Sequence, residues 1–146
     1  MSLSSHLREI VIITNNPAVV DDYPEASCHI QGSVQKVFTT VRDAVHKGAR
    51  IITHPLCGSI KPNESPYKSV VITTATGKKA ACDCQSDFLR QSQTPVKLDM
   101  KSLSIIEDAI ATLARLPHRN RKYDESVLED FRIIDLNFIR VANMTS

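Results

Sequence analysis

Glu9-Ile10-Val11-Ile12-Ile13-Thr14, followed at once by Asn15-Asn16-Pro17, decides the fold class. A continuous apolar run rich in β-branched residues reads as a strand buried on both faces, the kind found in parallel sheets. It stops at a strong turn signal, in which Asx residues before a proline cap a turn. Downstream, residues 18–27 are mixed and polar, and Cys28-His29-Ile30-Gln31 reads as a short strand. Gly32-Ser33 opens a helix with Ser33 as N-cap. Val34, Val37, Phe38, Val41 and Val45 then recur at helical spacing and form one apolar face. Lys47 suits the last turn and Gly48 the left-handed position just past it. Arg50-Ile51-Ile52-Thr53 is a second buried strand, so strand, helix and strand follow one another as in a right-handed βαβ unit.

From His54 to Lys68 the chain carries Pro55, Pro62 and Pro66, a glycine and small polar residues, and is read as a loop. Ser69-Val70-Val71-Ile72-Thr73-Thr74 is a further strand. Residues 75–95 are polar and poor in large apolar groups, and are expected to form an exposed excursion. Asp99 caps a second helix with Leu103, Ile106, Ile110, Leu113 and Ala114 on its apolar face, ended by Leu116-Pro117. After the basic connector His118-Arg119-Asn120-Arg121-Lys122, a third helix starts at Asp124 or Ser126. Its expected apolar face is Val127, Phe131, Ile134, Leu136, Phe138 and Val141. Leu128, Ile133 and Ile139 widen that face, which suits either a homodimer or a sheet covered on both sides. The expectation is one α/β domain over residues 1–146, with a small, mainly parallel sheet of three to four strands and about three helices. Residues 1–7 are expected to be disordered or a cloning remnant.

Composition narrows the function classes. With 146 residues, 42% hydrophobic and 23% charged, the chain is an ordinary globular domain. No apolar run approaches the ~18–20 residues that span a bilayer, and the first residues lack a secretory signal's apolar region. A net charge of +2 is too small to argue for nucleic acid or an anionic membrane, and Trp is absent. The four cysteines, Cys28, Cys57, Cys82 and Cys84, are expected to be free thiols in a reducing cytoplasm. Their spacing does not form the paired ligands of a zinc site, so neither a metal nor another cofactor is expected.

In a parallel α/β sheet, ligands gather at the carboxyl ends of the strands. Two segments are placed there, Thr14–Pro17 and the loop 54–69. Within the loop, Gly58 and Ser59 let backbone N–H groups approach an anion that Lys61 neutralises, although the spacing is not that of a phosphate-binding loop. His54 follows a buried strand and suits a general acid/base role, against a bland role bonding the loop backbone. Cys57 is placed to pair with it as a nucleophile, or to serve as a small packed residue. Asn63, Glu64, Tyr67 and Lys68 complete the loop's candidates for ligand binding. Asn15 and Asn16 either bind a ligand through their amides or cap the turn. Glu64 has no second carboxylate nearby in sequence, so a paired acid/base is not supported. Cys82-x-Cys84 is read as two solvent-exposed thiols before a redox or metal site, and the 119–122 basic run as a solvated connector before a contact with an acidic partner.

Ile13-Thr14-Asn15-Asn16-Pro17, Val41-Arg42-Asp43 with His46-Lys47-Gly48, and Thr53-His54-Pro55-Leu56-x-Gly58-Ser59-Ile60-Lys61-Pro62-Asn63-Glu64-Ser65-Pro66-Tyr67-Lys68-Ser69 resemble the GrdX family. Leu103, Ile105-Ile106-Glu107 and Leu128-Glu129-Asp130-Phe131 to Asp135 look similar as well. The resemblance covers most of the chain apart from residues 75–95. It implies a small cytoplasmic accessory protein encoded alongside glycine, sarcosine and betaine reductase components of anaerobic bacteria. It implies no activity, cofactor or catalytic residue.

Three functions are therefore weighed. The first is an accessory protein that binds a reductase subunit or a small anion through the 54–69 loop. The second is an enzyme acting on a small anionic substrate, an amino acid or acyl phosphate, with Lys61 holding the anion and His54 as acid/base. The third is a regulator or chaperone of a reactive subunit, contacting it through the exposed thiols and the basic connector.

Overall fold

The computed structural model describes residues 9–57, 61–74, 97–117 and 122–145. They form β1 (Glu9–Thr14), α1 (Pro17–Asp22), β2 (Ser27–His29), α2 (Val34–His46), β3 (Arg50–Ile51), β4 (Ser69–Thr74), α3 (Met100–Arg115) and α4 (Glu125–Thr145). The chain is thus an α/β domain, with four helices and one four-stranded sheet among the described residues. The stretches expected as a disordered start, 1–7, and as an excursion, 75–95, lie outside the described residues.

The sheet order is β2-β1-β4-β3. β1 pairs in parallel with β2, Ile12 opposite Ser27 and Thr14 opposite His29. β4 runs antiparallel to both β1 and β3. The sheet is therefore mixed rather than mainly parallel, because β4 inserts between the two strands expected to be neighbours. Local hydrophobic pattern marks a strand as doubly buried but does not say which strand pairs with it. The insertion still brings the long loop to the expected edge. Thr14, the last residue of β1, lies opposite Ser69, the first of β4.

Alternation along β1 builds two cores. Val11 and Ile13, with Val70 and Ile72 of β4, pack against Val37, Phe38, Val41 and Val45 of α2 and Ile106 and Ala109 of α3. Ile12 and Val71 face the other way, against Val19 of α1 and Leu136 and Ile139 of α4. The unbroken apolar run of β1 is explained by these two covered faces. β3 is shorter than expected, because Ile52 and Thr53 both direct their N–H groups to Val71 O and leave the regular ladder. Its Ile51 N–H is taken by Ser102 Oγ at 2.9 Å, and Ser102 is anchored on Asp99, the N-cap of α3. That hydroxyl bond holds the Asp99 carboxyl below its ordinary pKa.

Helix ends follow the residue signals. Ser33 caps α2 by accepting the Lys36 N–H, and Gly48 takes the positive φ of 101° that ends it. α1 was not expected. Asn16 Oδ1 accepts the Ala18 N–H and Pro17 occupies the first helical position, where its missing N–H costs nothing. The expected turn is thus the start of a six-residue helix. The expected apolar face of α4 is also corrected. Leu136 and Ile139 are buried, Val127, Phe131 and Phe138 are half-buried, and Ile134 and Val141 are exposed. Cys28 is buried and disulfide-bonded, which overturns the expectation of free thiols throughout, whereas Cys57 is free and exposed.

These positions on α4 predict unequal costs. Ile139→Ala should lower stability by about 2–4 kcal/mol by removing methylenes from a closed core. Ile134→Ala should fall within about 0.5 kcal/mol of wild type. Urea denaturation of the two variants checks both values.

Candidate functional site

The loop between β3 and β4 is stitched to the rest of the fold at short intervals. Asn15 does most of this work. Its Oδ1 accepts the Lys68 N–H at 2.8 Å, and its Nδ2 donates to Pro66 O and Gly32 O. Asn63 Nδ2 donates to Pro117 O at the end of α3, and Tyr123 OH donates to Glu64 O. Ser65 Oγ accepts the Tyr67 N–H. These bonds use the amides that the sequence offers as ligand donors. Both Asn15 and Asn16 spend theirs on the fold.

Asn16 belongs to a second, tighter knot. Its Nδ2 donates to Arg132 O and to Asp135 Oδ2 on α4, at 2.9 and 3.1 Å. Ser69 Oγ donates to the same Asp135 oxygen at 2.6 Å and lies 2.7 Å from Thr14 Oγ1. Thr14 Oγ1 also accepts the Asn16 N–H. One carboxylate therefore joins the end of β1, the start of β4 and the cap of α1. Burial pushes the Asp135 pKa up, opposed by the Ser69 and Asn16 bonds and by the Lys68 charge. Lys68 is only 7% exposed; its Nζ donates to Cys57 O at 2.8 Å and sits 5.9 Å from the Phe138 ring centroid. Desolvation lowers its pKa, opposed by the charges of Asp135 and Cys57.

One turn earlier on α4, Arg132 donates to the Tyr67 hydroxyl at 2.9 Å and pairs with Glu129 and Glu125. Hydrogen bonds to Glu129, then Glu125 and Tyr67, raise its pKa further. The sequence reading gave no role to Asp135 or Arg132, whereas Thr14 and Ser69 fall at the ends of the two segments it placed at the sheet edge. The available signal was a lone carboxylate inside the apolar run Ile133-Ile134-Asp135-Leu136, three residues after an arginine.

The other candidates remain apart. His54 is exposed, and its Nδ1 accepts the Leu56 N–H at 3.1 Å while its carbonyl accepts the Cys57 N–H. The Lys61 and Cys57 side chains are also exposed. Gly58, Ser59, Cys82, Cys84, Arg119 and Arg121 lie outside the described residues. Among the described residues, no group of three or more His, Cys, Asp or Glu is arranged to hold a metal. No helix among them is long and apolar enough to cross a membrane.

The inner side of the loop walls a cleft of about 450 Å³. Pro62, Asn63, Ser65 and Pro66 form one wall, Gly32 to Gln35 at the start of α2 a second, and Ile110, Leu113 and Ala114 of α3, with Leu116 and Pro117 just past its end, an apolar third. The opening N–H groups of a helix have no intrahelical acceptor. Those of Val34 and Gln35 find none among the described residues. Asn63 Oδ1 is buried and also without a partner among them. Of the sequence candidates, Asn63 alone lines this cleft. The helix start was legible as a cap, but not as part of a cavity.

The Asp135 knot makes two predictions. Asp135→Ala leaves the Ser69 hydroxyl, the Asn16 amide and the Lys68 charge uncompensated, and should cost about 3–5 kcal/mol in denaturant unfolding. The pair also sets a pH dependence. A raised Asp135 pKa gives stability that is full below the unfolded value near 3.8 and is lost as pH rises through the folded one. A lowered Lys68 pKa gives stability that is full above 10.5 and is lost as pH falls through its folded value. Relative to an Asp135→Asn, Lys68→Met double variant, wild type should be weakest between those limits and should gain toward either. Stability curves from pH 4 to 10 check the sign.

No curated protein and no solved structure matches the chain. A family model does, in two segments over residues 11–87 and 85–143, and so runs into the 75–95 stretch that the sequence resemblance left aside. Together the segments run from within β1 through β4 to nearly the end of α4, and on that coverage the chain belongs to the GrdX-like protein family.

Proposed function

We propose that this protein is a non-catalytic cytoplasmic accessory protein of a glycine, sarcosine or betaine reductase-type system. In this reading the loop after β3 is its recognition element, and the cleft beneath it holds a small carboxylate- or phosphate-bearing ligand. The observation that carries the reading is the cleft itself. Its volume is in the small-ligand range, and it joins an apolar α3 wall to a helix start with two N–H groups unclaimed by described residues. An anion is favoured at such a helix start by the N–H groups and by the helix dipole. Family membership supplies the link to the reductase systems.

The enzymatic reading, with His54 as acid/base and Lys61 as anion holder, has less support. The His54 Nδ1 is occupied by a backbone N–H, and neither residue lines the cleft.

A thermal-shift series with phosphate, acetyl phosphate, glycine, sarcosine and betaine tests the proposal. A ligand at a hundred times its dissociation constant adds about 2.7 kcal/mol, or a few degrees in Tm. Val34→Pro removes one cleft N–H at a position where proline is tolerated in a helix. The shift should shrink in Val34→Pro and survive in His54→Ala. If no compound shifts wild type, the small-anion reading is lost. Turnover of any of these compounds by wild type, abolished in His54→Ala, would replace the accessory reading with the enzymatic one.

A further inference from the structure

We infer that α4 is a clasp for the recognition loop, so that the helix and the loop open together as one unit. The inference rests on the proposed reading only in calling the loop a recognition element. The contacts themselves are independent of any ligand.

Four positions between Glu64 and the start of β4 are gripped from one side. Tyr123, two residues before α4, donates to Glu64 O, and its ring meets Phe131 edge-on at 5.1 Å. Arg132 holds the Tyr67 hydroxyl, the Phe138 ring lies beside Lys68 Nζ, and Asp135 accepts from Ser69. Arg132, Asp135 and Phe138 follow one another along the helix at spacings of three. The helix meets the sheet through the Asp135–Ser69 bond and through Leu136 and Ile139 on Ile12 and Val71. Leu136 and Ile139 are its two buried apolar side chains among the described residues. An element held this way is drawn from the low-stability end of a fold and opens without global unfolding. When it opens, Glu64, Tyr67 and Ser69 lose their outer partners together, and the Pro62–Pro66 wall of the cleft is left on its Asn15 and Pro117 bonds. A partner that binds α4 in its open position thereby alters the cleft, with no contact to it.

Native-state amide exchange of the full chain, followed residue by residue by NMR, tests the clasp. In wild type, the α4 amides and the Lys68 amide should share one opening that is faster than that of Val11–Ile13 and α2. Asp135→Asn keeps the side-chain shape but removes a charge-assisted acceptor. It should speed α4 and Lys68 exchange by the same factor, about tenfold, with α2 still the slower to exchange. Tyr67→Phe, which removes only the Arg132 bond, should speed both by a smaller common factor, and it decides the question if Asp135→Asn does not fold. Exchange of α4 at the rate of β1, or acceleration of α4 without Lys68, overturns the inference. Because no ligand is needed, a failed ligand screen leaves this result standing, and independent opening of the loop leaves the binding proposal standing.

Discussion

The Asp135 carboxylate is the constraint on which the arrangement of the second layer depends. Its one oxygen receives Ser69 and Asn16, and behind them stands the Thr14 hydroxyl. A buried carboxylate is tolerated only when its lone pairs are filled and a positive charge is close. Here two donors, Ser69 of β4 and Asn16 of the α1 cap, serve the first need and Lys68 the second. The position of α4 over the sheet is therefore specified by hydrogen-bond geometry at one point. Its apolar packing on Ile12 and Val71 then follows. A greasy contact alone would let the helix slide, whereas a bond network sets its register.

Asn15 plays the matching part on the other side of β1. Its amide uses both donors and its acceptor on Gly32, Pro66 and Lys68, so the loop, the start of α2 and the end of β1 are tied at one residue. Adjacent asparagines thus divide the work. Asn15 fixes the cleft wall, and Asn16 fixes α1 and α4. The cleft exists because these ties hold Pro62–Pro66 off the surface of α2 and α3, leaving a gap that side chains do not fill.

Much of the fold was legible locally. The β1 run, the Ser33 and Asp99 caps and the Gly48 stop all act through nearest neighbours, and all appear as read. Strand pairing was not, because β4 answers to partners that no local pattern names. α1 carried an Asn-Pro start signal, but its six residues include two aspartates and too few apolar positions to show a period. On α4, apolar residues occur around the whole circumference, so the sequence did not distinguish Ile139, which is buried, from Ile134, which is not. The site followed the same division. The loop was found by its density of polar groups and prolines. Which of those groups serve the fold depends on Asp135 and Tyr123, more than fifty residues away.

The central strand pair has a consequence for the order of folding. Thr14 and Ser69, the closest paired residues of β1 and β4, are 55 positions apart. Closing so long a segment is entropically slow, and topologies built on such pairings fold later than local ones. On the ribosome, Ile10 to Ile13 emerge long before β4 does, with three-residue β2 as their nearest sheet partner in sequence. An uncharged β-branched run in that state is prone to pair with other chains. The early capping of α2 by Ser33 has a kinetic value in this light. It lets a helix form locally and shelter Val11 and Ile13 before their permanent neighbour is made.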